Sequence, residues 1–160
     1  MRHEIISPTE ATTYRAGELI ADLLAPGDVV SLSGDLGAGK TCLVKGVSAG
    51  LGVIENVTSP TFNIMLEHHG RLELFHFDLY RLERAEQLED IDFYGTTEAG
   101  GVSFIEWGER FPEALPEDHL SVDILIGDDD SRLIVLSPSG PRASALAEDW
   151  SAAVLSDVGA

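Results

Sequence analysis

Cations are scarce in this chain. Ten lysines and arginines stand against 28 aspartates and glutamates, giving a net charge of −18, and the two lysines are Lys40 and Lys45. A charge this negative argues against the chain gripping nucleic acid by itself, because nonspecific affinity comes from cations that neutralise phosphates. If RNA is involved, a partner must supply the positive surface. Solubility accounts for most of the acidity without any partner. Cysteine occurs once, at Cys42, which excludes an internal disulfide and fits a reducing, cytoplasmic home. No apolar run approaches membrane-spanning length, and Met1-Arg2-His3-Glu4 lacks the apolar centre of a signal peptide. What is present is ordinary for a globular domain: 160 residues, 44% hydrophobic and 7% aromatic, enough for one proper core.

The most informative segment is Gly34-Asp35-Leu36-Gly37-Ala38-Gly39-Lys40-Thr41, which fits the phosphate-cradling pattern G-x-x-x-x-G-K-[ST]. Glycines allow the backbone to wrap an anion closely, and a following helix adds its positive N-terminal end. The amides from Asp35 to Cys42, with the Lys40 ammonium, would bind the phosphates of a nucleotide, and Thr41 would offer its hydroxyl to Mg²⁺. The flanks suit the motif. Asp28 to Ser33 reads as a buried strand, and Thr41 to Leu51 reads as a helix with Leu43, Val44, Val47 and Leu51 on one face.

The rest of the chain reads as alternating elements. His3 to Ser7 reads as a strand, and Pro8-Thr9-Glu10 leads into a helix carrying Ala16, Leu19, Ile20, Leu23 and Leu24. Phe62 to Glu67 and Arg71 to Asp78 are expected to form a hairpin around a His68-His69-Gly70 turn. Arg81 to Glu89 is expected to be helical, Gly101 to Glu106 a second buried strand, and Leu120 to Ile126 with Arg132 to Leu136 two strands about the acidic turn Gly127-Asp128-Asp129-Asp130. Ser137 to Pro141 reads as a linker, dividing a P-loop domain over 1–137 from a tail over 138–160 with a weakly amphipathic helix through Leu146, Trp150 and Val154.

A nucleotide-hydrolysing site needs a carboxylate near the metal at the end of a neighbouring strand. Two qualify, Glu106 after Val102-Ser103-Phe104-Ile105 and Asp78 after Leu74-Phe75-His76-Phe77. The pattern does not say which serves the metal. Thr61, in a loop before a strand, is a third candidate as a sensor of the γ-phosphate. His76 is expected to orient Asp78 or to pack. The other histidines show no regular ligand spacing, so no zinc site is expected.

Taken in order, the glycine loop, Thr58-Ser59-Pro60-Thr61-Phe62, His76-Phe77-Asp78-Leu79-Tyr80-Arg81 and Ile105-Glu106-Trp107 resemble the TsaE (YjeE) family, the ATPase component of bacterial tRNA threonylcarbamoyladenosine biosynthesis. The resemblance spans roughly Thr9 to Ile126. It implies that Thr41 and Glu106 hold Mg²⁺, that Thr61 lies in a switch-like segment, that Asp78 positions water for hydrolysis, and that Thr13 lies close to the base. It also implies action with TsaD and TsaB partners, with tRNA reached through that complex. Gly108 departs from the family, where proline is common. Three rivals remain: a nucleotide-gated assembly module, a small-molecule kinase, for which no lid-sized insertion exists, and a GTPase, for which no Asn-Lys-x-Asp segment exists. The fold expected is a three-layer α/β P-loop domain, its mixed and mainly parallel sheet joined by an antiparallel hairpin. Hydrolysis by the isolated chain is expected to be weak, since no arginine is clearly placed as a finger.

Overall fold

A computed structural model describes residues 2–35, 37–54 and 64–158. Among the described residues, seven strands form one sheet: β1 (His3–Ser7), β2 (Val29–Gly34), β3 (Met65–His69), β4 (Glu73–Asp78), β5 (Val102–Glu106), β6 (His119–Ile126) and β7 (Arg132–Ser139). Their order across the sheet is β1-β7-β6-β2-β5-β4-β3. The four inner strands β6, β2, β5 and β4 run parallel. Antiparallel pairs extend the sheet on both sides, β1–β7–β6 on one and β3–β4 on the other. Three of the six pairings are therefore antiparallel, so the sheet is mixed and less parallel than the sequence suggests.

Alternation along the strands sorts their side chains onto two faces. Val30, Leu32, Leu74, Val102, Phe104, Leu120 and Val122 face the larger core, which α1 (Glu10–Ala21), α2 (Lys40–Gly50) and α5 (Pro141–Val158) cover. Val29, Phe75, Phe77 and Ile105 face a smaller cluster built with Leu82, Leu88 and Phe93. The last two belong to the short helices α3 (Gln87–Asp90) and α4 (Phe93–Thr97). Helices thus lie on both faces of the sheet.

Helix α1 begins at Thr9, whose extended backbone and side-chain oxygen cap the Thr12 N–H. It crosses α2 at close range because both contribute glycine there. A Cβ on Gly17 would overlap the Leu43 carbonyl, and one on Gly46 would overlap the Tyr14 carbonyl. This contact brings α1 beside the start of α2, where it becomes a wall of the site.

Several sequence expectations need correction. His68 and His69 belong to β3, opposite Leu74 and Glu73, so the hairpin turns at 70–72. Pairing with β4 sets that register, which a run of turn-forming residues cannot reveal. The helix expected over Arg81 to Glu89 shrinks to α3, because residues 81–86 are irregular chain with turns at either end and Gln87 Oε1 accepts from the Glu83 and Arg84 amides. Ser137 to Ser139 continue β7, paired with β6, and helix α5 starts at Pro141, so no linker intervenes. The C-terminal helix is firmly docked. Trp150 is fully buried and its Nε1–H donates to the Ala16 carbonyl at 2.9 Å. Asp118 accepts from the Arg142 and Ala143 amides at the helix start, and Arg142 pairs with the buried Asp28 at 2.9 Å.

Candidate functional site

The site forms where β2, β4 and β5 end together. Strand β2 runs into the glycine loop and then into α2, whose first residue is Lys40. Glycine is required on steric grounds at Gly34, where a Cβ would lie 2.7 Å from the Ile124 carbonyl oxygen. Gly39 adopts φ 114°, a left-handed conformation that strains any side chain, and its carbonyl accepts the Leu43 N–H of α2. Ala38 is buried beneath the loop, with its N–H on the Asp35 carbonyl at 2.9 Å.

Parallel pairing brings the two strand-end carboxylates together. Asp78 and Glu106 are direct partners across β4 and β5, and Leu32 of β2 partners Glu106 on its other side. All three share the face that carries α2, as does His76, two residues before Asp78. Glu106 is buried and engaged on both oxygens. Its Oε2 accepts from His76 Nε2 at 2.6 Å, and its Oε1 lies 3.8 Å from the Lys40 ammonium. His76 therefore orients Glu106, the metal candidate, and is itself fully buried. Lys40 also donates to the Gly34 carbonyl at 2.9 Å and sits 4.9 Å from the centre of the Trp107 ring.

Asp78 is half-buried, and its carboxyl is pushed above the usual carboxylate range. Burial is the main cause and the neighbouring Glu106 charge adds to it, against a hydrogen bond from the Tyr80 N–H at 3.0 Å and the charges of His76 and Lys40. Trp107 takes a left-handed backbone conformation with φ 65°, which turns the chain sharply after Glu106. Its ring packs against Tyr80 at 5.1 Å, and Arg110 donates to the Tyr80 carbonyl.

These groups line a cleft of about 1070 Å³. Asp35, Gly37, Gly39, Lys40, Thr41 and Cys42 form its floor, Asp78, Tyr80, Glu106 and Trp107 one wall, and Glu10, Ala11, Tyr14 and Lys45 the other. The sequence reading missed that second wall, since nothing in α1's periodicity marks a face turned toward the loop. Thr13 lies behind it. Its hydroxyl hydrogen-bonds Ser7 at 2.6 Å, and it borders a side pocket of about 150 Å³ with Ala38, Gly39 and Arg132. The Cys42 thiol is pushed up by burial and donates to the Glu10 carbonyl. Leu36 and Thr61 lie outside the described residues, as does the rest of the Thr58 to Phe62 block.

A cation, a helix N-terminus and a glycine loop together make an anion site. The Thr41 hydroxyl and two carboxylates are hard oxygen donors of the kind Mg²⁺ prefers. Elsewhere among the described residues, Glu67, His69 and Glu73 bring potential ligand atoms within 4.8 Å of one another on the β3–β4 hairpin. The sequence hid this group because cross-strand pairing assembles it. It sits at the opposite end of β4 from Asp78 and is solvent-exposed.

Comparison with known proteins decides the family. The model of the threonylcarbamoyl adenosine biosynthesis protein TsaE matches residues 7–134. The chain belongs to the TsaE family. Curated TsaE proteins agree: that of Treponema pallidum is 42% identical, covering 82% of this chain and 98% of its own. That of Bacillus subtilis is 38% identical over 94% of both. The crystal structure of Bacillus subtilis YdiB superposes with a TM-score of 0.80 at 33% identity, covering 95% of each chain. As a TsaE, the chain is a protein of tRNA threonylcarbamoyladenosine biosynthesis. No described helix is long and apolar enough to cross a membrane.

Proposed function

We propose that this TsaE binds ATP with Mg²⁺ in the cleft and hydrolyses it to serve threonylcarbamoylation of the adenosine beside the tRNA anticodon. The carrying observation is the convergence of Lys40 and Glu106 over a glycine loop, with Asp78 as Glu106's strand partner. Sheet order and loop geometry support reading the domain as a P-loop NTPase fold. Lys40 leaves Gly34 and Glu106 to engage the β- and γ-phosphates, while the loop amides and the start of α2 hold the remaining phosphate charge. Thr41 and Glu106 would hold the metal, and the His76 hydrogen bond fixes the Glu106 carboxylate for that role. When bound, Mg²⁺ neutralises charge developing on the transferred phosphoryl group. Asp78 accepts a hydrogen bond from the attacking water, a role suited to a carboxylate of raised proton affinity.

No arginine lines the cleft among the described residues. Arg110 is turned onto a backbone carbonyl, so slow hydrolysis by the isolated chain follows. TsaD and TsaB are the proposed partners, and the acidic surface leaves tRNA contact to them. The cytoplasm is the proposed site of action. The test is ATP hydrolysis by the purified protein, alone and then with TsaD, TsaB and tRNA. Stimulation by the partners that vanishes in Lys40→Ala is expected. Absence of stimulation, with phosphate passed to a small acceptor, would overturn the reading in favour of a kinase. Full cycling by a hydrolysis-dead Glu106→Ala protein would favour an assembly module gated by ATP binding.

A further inference from the structure

Arg132, the first residue of β7, reaches across to the phosphate loop. Its Nε donates to the Ala38 carbonyl at 2.8 Å, and its Nη2 to the Gly37 carbonyl at 3.4 Å. The other arm, Nη1, donates to the carbonyls of Ser131 at 2.7 Å and Asp129 at 3.3 Å. The acidic turn behind it is closed by its own bonds, with Ser131 N–H and Oγ both on the Asp128 carbonyl and Gly127 N–H on Ser131 O. One planar guanidinium therefore bolts the β6–β7 turn to two successive carbonyls of the loop. Lysine could not reproduce that fork, since its ammonium is a point donor on a flexible stem.

The consequence follows from peptide geometry. In a planar trans peptide the carbonyl and the next N–H point in opposite directions. Fixing the Ala38 carbonyl on Arg132 therefore turns the Gly39 N–H away from Arg132. Gly39 borders the cleft where the phosphates are proposed to bind, and, having no Cβ, it leaves the loop free to take other conformations unless something holds it. We infer that Arg132 is a positioning residue, a brace that presets the loop amides for a polyphosphate. Four of the five guanidinium N–H groups are engaged with backbone carbonyls, so the brace acts through the loop and makes no use of the nucleoside.

This rests on the ATP-binding reading above, and the test separates the two. Binding of Mg-ATP and of inorganic tripolyphosphate is measured by calorimetry for the full chain, Arg132→Ala and Arg132→Lys, with thermal melting to follow folding. The brace predicts that Arg132→Ala weakens both ligands about equally, by about tenfold, the scale of a lost charge-assisted bond. Arg132→Lys is expected to stay weak for both, and it decides the question should Arg132→Ala fail to fold. Unchanged affinities would overturn the brace, as would full rescue by lysine, which would reduce Arg132 to a charge. Loss for ATP with tripolyphosphate unaffected would also overturn it, by placing Arg132 on the nucleoside. A wild-type chain that binds neither ligand would sink the ATP reading itself, and the brace with it.

Discussion

Glu106 is expected to oppose nucleotide in the absence of metal, and Glu106→Gln tests this with a change of sign. Its carboxylate lies 3.8 Å from the Lys40 ammonium in a buried setting. At that separation, with an effective dielectric near 20, a unit charge pair is worth roughly 4 kcal/mol. A phosphate oxygen that docks on Lys40 must weaken this pairing, and it then lies close to Glu106 and is repelled on the same scale. Water and counterions in an open cleft screen much of both effects, leaving roughly 1–2 kcal/mol, or about five- to thirtyfold in affinity. Glutamine keeps the shape, and its carbonyl oxygen still accepts from His76. In calorimetry with a chelator present, Glu106→Gln should therefore bind ATP about tenfold more tightly than wild type. Adding Mg²⁺ should strengthen binding to wild type and do little for the variant. If metal-free affinities match and Mg²⁺ helps both proteins equally, Glu106 is neither the metal's ligand nor the ammonium's counter-charge.

Asp78→Asn should stabilise the fold while abolishing hydrolysis. The Asp78 carboxyl binds its proton more tightly when folded, chiefly through burial. Its ionisation therefore costs stability as pH rises from the unfolded carboxylate range through the raised folded value, and the cost is complete above that. Asparagine retains an oxygen for the Tyr80 N–H, so its melting temperature should exceed wild type at pH 7 and converge with it at acid pH; a lower melting temperature at pH 7 would contradict the sign. Trp150→Ala should cost about 3–5 kcal/mol in urea unfolding, the range for emptying a buried aromatic site, and a loss below about 1 kcal/mol would mean that α5 is dispensable to the core.

The loop and the strand-end carboxylates were legible because short-range patterns specify them. Gly34 to Thr41 is contiguous, and Glu106 and Asp78 each close a run of strand-forming residues. What joins them was not legible: that Asp78 and Glu106 are register partners, and that His76 reaches Glu106 instead of Asp78, follow from strand pairing over long sequence separations. The same cause put His68 and His69 in a strand, where turn chemistry pointed to a bend. The charged stretch after Arg81 had helix-forming residues, but the Gln87 side chain bonds amides that a helix would use. In the sequence Arg132 marked only the start of an expected strand, and its four carbonyl partners lie on two segments far apart in sequence.

Strand β1 lies at the sheet's edge and pairs with β7 alone, His3 facing Leu136 and Ser7 facing Arg132. During synthesis, β1 must wait until β7 has left the ribosome before it finds that partner. Helix α5, later still, supplies the Trp150 that holds α1 through Ala16. The cleft's outer wall is thus fastened by a segment translated well after it, and a nascent chain carrying an intact glycine loop would still hold it against an unanchored α1. Such a long-range closure is slow to form.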